Sequence, residues 1–180
     1  MNLLESILGA NGGKAVGQIA KQLGIPESIA EQAAGALAPS IGRGLERNAK
    51  SSGGLDSLLG ALKNGNHEKY VDEPEVLEKP ETIEDGNAIL GHILGSKDVS
   101  RNVAGNAARQ TGIDASILKK VLPMLGAVAM GSLAKQGGGF VSGAGGPAGS
   151  KPLDLIESFL DSDKDGSATD DVLNLAKKFF

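Results

Sequence analysis

Ala20-Lys21-Gln22-Leu23-Gly24-Ile25 returns as Ala108-Arg109-Gln110-Thr111-Gly112-Ile113, 88 residues further on. The likeness runs outward from this stretch without a gap. Gly17 matches Gly105, Ile29 matches Ile117, Leu37 matches Leu125, and Leu45 matches Leu133. The matched positions are mostly apolar or glycine, so what repeats is a packing pattern rather than a reactive site. Gly24 and Gly112 each follow a helical pattern, in the place where a left-handed residue ends a helix. The repeat therefore predicts an all-α, multihelical duplicated core of two related helical units, with copies at about 1–63 and 86–136.

A shorter motif surrounds the repeat and occurs four times: Leu4–Gly9, Leu55–Gly60, Leu90–Gly95 and Ile156–Asp161. Its apolar residues sit at i, i+3 and i+4, on one face of a short helix. Each copy is too short to be stable alone and must dock on something larger. Between them the spacing predicts helices over Gly12–Leu23, from Pro26 onward, Lys97–Thr111, Asp114–Leu122 and Met124–Lys135. Pro39 is expected to break or kink the second helix before a further one ends near Lys50. Pro123 separates the last two in the same way. Asp114 suits an N-cap or first-turn position.

Composition agrees with helices. Hydrophobic residues make up 40% of the 180, but aromatic residues only 3%, so the core is built from Leu, Ile, Val and Ala. Ala and Leu favour helices, whereas sheets favour aromatic and β-branched residues. The 27 glycines suggest close helix packing. Gly9, Gly13 and Gly17 are spaced by four, as are Gly91 and Gly95, and small residues at that spacing let backbones approach.

Residues 64–85 hold eight carboxylates, two lysines, Pro74 and Pro80. This composition reads as a solvated acidic linker between the copies, with His67 in solvent. Gly137–Pro152 reads as a flexible tether. Leu153–Phe180 is then a small appended helix–loop–helix.

The tail carries the clearest chemistry. Asp161-Ser162-Asp163-Lys164-Asp165-Gly166-Ser167 has the spacing of a calcium loop. Calcium takes six to eight oxygens, and Asp at positions 1, 3 and 5 of a turning loop aims three carboxylates at one centre. Gly166 permits the reversal, and Ser167 offers its carbonyl. Position 12 is Val172, where a bidentate Glu is usual, so Asp170 or Asp171 must close the site. Without the usual closing ligand, affinity is expected at the weak end, on the order of 10⁻⁴ to 10⁻³ M. Five carboxylates within residues 161–171 would repel one another without a cation.

The stretch from the first residues to about Lys135 resembles the YidB-like family of bacterial helical proteins. The resemblance is carried by Leu3–Leu8, by Ile19-Ala20-Lys21-Gln22-Leu23-Gly24-Ile25, and by the Ala-rich helix to Pro39. Gly112-Ile113-Asp114 and Leu122-Pro123-Met124-Leu125 carry it in the second copy. It implies a multihelical fold and no activity, and members similar to this chain also end in an acidic Asp-rich tail.

Other chemistry is weakly written. The chain has no cysteine and a net charge of −4, so thiolate chemistry is excluded and no nucleic-acid partner is expected. Each copy resembles a DNA-binding helix–turn–helix, but Pro26-Glu27-Ser28 and Glu31 open the would-be reading helix, and only Lys119 and Lys120 support the second. His67 and His92 are not at metal-ligand spacing. No nucleophile elbow or phosphate loop is present. A cleft uniting His92 with a carboxylate and a hydroxyl would be needed to favour a hydrolase. The opening residues lack a signal peptide, which points to a cytoplasmic location, and Val121–Ala134 is too short to span a membrane. The expected function is a non-enzymatic scaffold or assembly protein, a homo-oligomer or protein-binding module, with a calcium-responsive tail. A regulatory or nucleic-acid-binding role is the alternative.

Overall fold

The computed structural model describes residues 3–10 and 12–141. The calcium loop, the tail from Leu153, and most of the expected tether lie outside the described residues. Those described form eight α-helices and one 3₁₀ helix, with no strand among them. In chain order these are α1 (Leu3–Leu8), α2 (Lys14–Leu23), α3 (Glu27–Ala49), α4 (Gly54–Asn64), α5 (Lys69–Asp72), the 3₁₀ helix (Pro74–Glu78), α6 (Pro80–Leu94), α7 (Lys97–Thr111) and α8 (Ala115–Val141). The all-α, multihelical expectation holds.

Local signals place most of the boundaries. Gly24 at φ 64° ends α2, and Gly112 at φ 73° ends α7. Gly95 at φ 86° ends α6. The Ser96 hydroxyl caps α7 by accepting from the Val99 N–H at 3.2 Å. Asp114 precedes α8, and its carboxylate accepts from the Ser116 N–H at 2.6 Å, which holds that carboxyl below its ordinary value. Leu37, Leu125, Leu45 and Leu133 are all fully buried, and Ile29 and Ile117 both pack from the margin.

Neither internal proline breaks its helix. Pro39 lies inside a continuous α3, and Pro123 inside a continuous α8. A proline within a helix costs about 3 kcal/mol through one lost bond and a steric clash. Burying one Leu or Ile side chain stabilises by about 1.5–3 kcal/mol. Leu37 and Ile41 flank Pro39, and Val121, Leu122, Met124 and Leu125 flank Pro123, all nearly or fully buried. Burial outweighs the proline cost at both sites. Because α8 is unbroken, Ala115–Gln136 is long and apolar enough to cross a membrane, contrary to the shorter stretch read from sequence. In the fold, 83% of that apolar window is buried. α8 packs against every other α-helix and is the axis of the core. It also runs to Val141, into the stretch read as a tether.

The acidic segment is the larger correction. It is not a solvated linker. Tyr70 is 1% exposed and Leu77 fully buried, with Val71 and Val76 beside them. α5 packs on α8, and the 3₁₀ helix packs on α2. The carboxylates lie outside, where Glu78 meets Lys21 at 2.7 Å and Asp72 meets Lys135 at 2.5 Å. A high carboxylate count hides four apolar residues that arrive in two adjacent pairs.

Glycine does bring helices together, but mostly at other positions than the spacing suggested; of those named, Gly17 does face α3, where a methyl group would lie 3.3 Å from the Glu27 carboxylate. Gly13 and Gly95 are left-handed turns, and Gly91 has open space around it. Tight contacts between packed helices and turns are found at Gly44, Gly54, Gly86, Gly126 and Gly131. A methyl group on Gly86 would lie 2.2 Å from the Pro123 carbonyl oxygen. One on Gly131 would lie 2.5 Å from the carbonyl oxygen of His67.

Candidate functional site

The chain leaves α4 at Asn64 through a tight turn. Asn66 takes a positive φ of 42°, which Asn tolerates better than most residues. The turn brings His67 back under α4. A methyl group at Gly65 would lie 1.9 Å from the imidazole Nε2, so a larger residue there would displace the ring. α5 then presents Tyr70 inward, and α6 brings Asp85 and His92 alongside. These side chains line a cleft of about 390 Å³, with Ser57 and Ala61 from α4 and Met130 from α8 on its walls.

His67 is 9% exposed rather than in solvent as its acidic surroundings suggested. Its Nε2 lies 3.0 Å from the Ala61 carbonyl oxygen. A carbonyl can only accept, so Nε2 carries the proton and donates. Nδ1 is left with its lone pair, buried and without a partner. Burial lowers the imidazole pKa from its ordinary 6.5, and Lys69 lowers it further, against the Ala61 bond and Asp85. His67 is therefore neutral at pH 7.

The Tyr70 hydroxyl donates to Asp85 Oδ2 at 2.6 Å. Lys69 Nζ reaches the same oxygen at 3.4 Å and lies 4.8 Å from the centre of the Tyr70 ring. The Tyr70 bond, with help from Lys69, holds the Asp85 carboxyl below its ordinary 3.8. Burial pushes the Tyr70 hydroxyl well above its ordinary 10.0, and the Asp85 charge adds to that. Three perturbed groups in one cleft mark a candidate site on physical grounds.

The cleft does unite His92 with a carboxylate and hydroxyls, the arrangement a hydrolase would need. The hydrogen bonds run elsewhere. Among the described residues they join Tyr70 to Asp85 and His67 to Ala61, and none joins either histidine to Asp85 or to Ser57. Tyr70 is held protonated by burial and the Asp85 charge, and the His67 Nε2–H is engaged with the Ala61 carbonyl, which leaves the buried Nδ1 lone pair as the uncommitted acceptor of the cleft. Among the described residues no group of three or more His, Asp or Glu is placed to hold a metal ion. Asp161, Asp163, Asp165, Ser167, Asp170 and Asp171 lie outside the described residues.

Tyr70→Phe is expected to lower stability by about 1 kcal/mol at pH 7, because a charge-assisted bond is lost but Asp85 remains half exposed to water. The pH dependence follows from the shifts. Asp85 is depressed, so its contribution is complete above pH 3.8 and is lost as the pH falls below that. Tyr70 is raised, so its contribution is lost as the pH climbs past 10.0. The difference between wild type and variant should be flat from pH 5 to 9 and shrink at both extremes. Urea unfolding across that range measures it, and a difference already vanishing at pH 6 would contradict the assignment.

The fold and cleft together define an all-helical bundle whose polar groups brace one segment against the core. The chain belongs to a family of bacterial proteins of unknown function, DUF937, which matches residues 5–136. No curated protein and no solved structure matches it.

Proposed function

We propose that this chain is a non-enzymatic helical scaffold or assembly protein, a YidB-like member of its family. In this reading a duplicated core carries a weak calcium-binding module at its C-terminal end. The observation that supports a structural role is the direction of the polar groups in the cleft. Tyr70 and Asp85 tie α5 to α6, and His67 ties the preceding turn to α4. These bonds are spent on holding the segment in place rather than aimed at a substrate.

The calcium part of the proposal rests on the loop spacing. Asp161, Asp163, Asp165 and the Ser167 carbonyl would ligate the ion, with Asp170 or Asp171 closing the site. Calorimetric titration of calcium into the full chain should give saturable heats, with a dissociation constant on the order of 10⁻⁴ to 10⁻³ M. Asp163→Ala should abolish them. Equal heats from wild type and Asp163→Ala would remove the calcium module from the proposal.

A further inference from the structure

We propose that a second cleft, between α6, α7 and α8, binds a small phosphate-bearing ligand. The cleft has a volume of about 310 Å³. Lys97 and Arg101 enter it from α7, and Lys119 enters from α8. Asn87 offers an amide from α6, while Leu90 and Pro123 form an apolar floor. No carboxylate lines it. The other two clefts described are lined by Asp85, and one of them by Glu73 and Glu81 as well. In a chain of net charge −4, three cations around one concavity are a local reversal of sign.

Like charges brought together repel, and an anion between them turns that cost into attraction. Two acids lie nearby and neither fills this role. Asp98 meets Arg101 Nη1 at 2.9 Å, but both side chains are more than half exposed, at 84% and 66%. An exposed pair of this kind is worth only about 0–1 kcal/mol, so a ligand can take its place. Asp114 interacts with Lys119 electrostatically, but its carboxylate is committed to the start of α8. Arg101 supplies a planar fork that matches phosphate oxygens in pairs, and the two lysines supply charge. The apolar floor accommodates the body of a small molecule, as ligand clefts of this size commonly do. A nucleic-acid strand would need cations continued along a track rather than gathered in one hollow.

The test is phosphorus NMR of inorganic phosphate and pyrophosphate titrated with the full-length chain. A calcium chelator is present and ionic strength is held with chloride. Saturable broadening is expected, with a dissociation constant in the millimolar range or tighter for pyrophosphate. Arg101→Ala and Lys119→Gln should each weaken binding about tenfold or more, the loss expected for one charged hydrogen bond. Lys63→Ala, on α4 and outside the cleft, should leave it unchanged. All three positions are exposed, so the variants should melt with the wild type. Non-saturable broadening, or equal weakening by Lys63→Ala, would overturn the proposal. So would a DNA or RNA duplex that binds more tightly than pyrophosphate and depends on the same residues.

Discussion

Gly86→Ala is expected to destabilise the protein by about 3 kcal/mol. Alanine is otherwise the better helix residue, by about 0.5–1 kcal/mol. The reversal comes from position. Gly86 sits on the face of α6 that meets α8, where an added methyl group would lie 2.2 Å from the Pro123 carbonyl oxygen and 2.6 Å from its carbon. These are backbone atoms, so no rotamer change relieves the overlap, and the two helices must move apart. Gly126 and Leu90 form the next contact along the same interface, where a methyl group on Gly126 would lie 3.0 Å from the Leu90 side chain. Separation there would loosen the most extensive helix pair of the core. Gly91→Ala supplies the contrast on the same helix. A methyl group at Gly91 meets nothing within 4 Å, and its substitution should stabilise by about 0.5 kcal/mol. Thermal unfolding should separate the two in sign, with Gly86→Ala lowered by roughly 6–12 °C. If both variants melt within a degree or two of wild type, the close approach of α6 and α8 is wrong.

The helix stops at Gly24 and Gly112 were legible because each is a local event. A left-handed residue after an apolar period needs no knowledge of the rest of the fold. Asp114 was legible for the same reason. The unbroken α3 and α8 were not, because Pro39 and Pro123 oppose the helix locally and are overruled by burial that only the assembled core supplies. Glycine contacts failed in a related way. Spacing within one helix shows where small residues fall, but it does not show which face another backbone will meet. The candidate site was hidden by averaging over residues 64–85. Eight carboxylates dominate that segment's composition, yet the chain's single tyrosine, Tyr70, stands in it next to Val71. Val76 and Leu77 form a second pair. Apolar residues paired among acids were the signal available, and His67 follows them into the core because it precedes α5 by one short turn.

Leu77→Ala tests that correction most directly. A solvated linker would tolerate it, since a surface substitution usually changes stability by no more than about 0.5 kcal/mol. In the fold, Leu77 is fully buried in the 3₁₀ helix, which packs against α2. Its removal loses the transfer free energy of the side chain and leaves a cavity, together worth about 2–5 kcal/mol. The upper half of that range is expected, because the neighbouring backbone is pinned and cannot collapse inward. Pro74 starts the 3₁₀ helix, and the Thr82 hydroxyl donates to the Val76 carbonyl at 2.5 Å in a buried setting. Glu75→Gln, two residues away and exposed, should change stability by less than about 0.5 kcal/mol. Chemical denaturation measures both variants, and amide exchange gives an independent readout. The amides of residues 70, 71, 76 and 77 should be protected in wild type and lose protection in Leu77→Ala before those of α8. The correction fails if Leu77→Ala and Glu75→Gln unfold at the same denaturant concentration. A segment that makes up one wall of the candidate cleft would then be free of the core, and the bracing role given to Tyr70, Asp85 and His67 would fall with it.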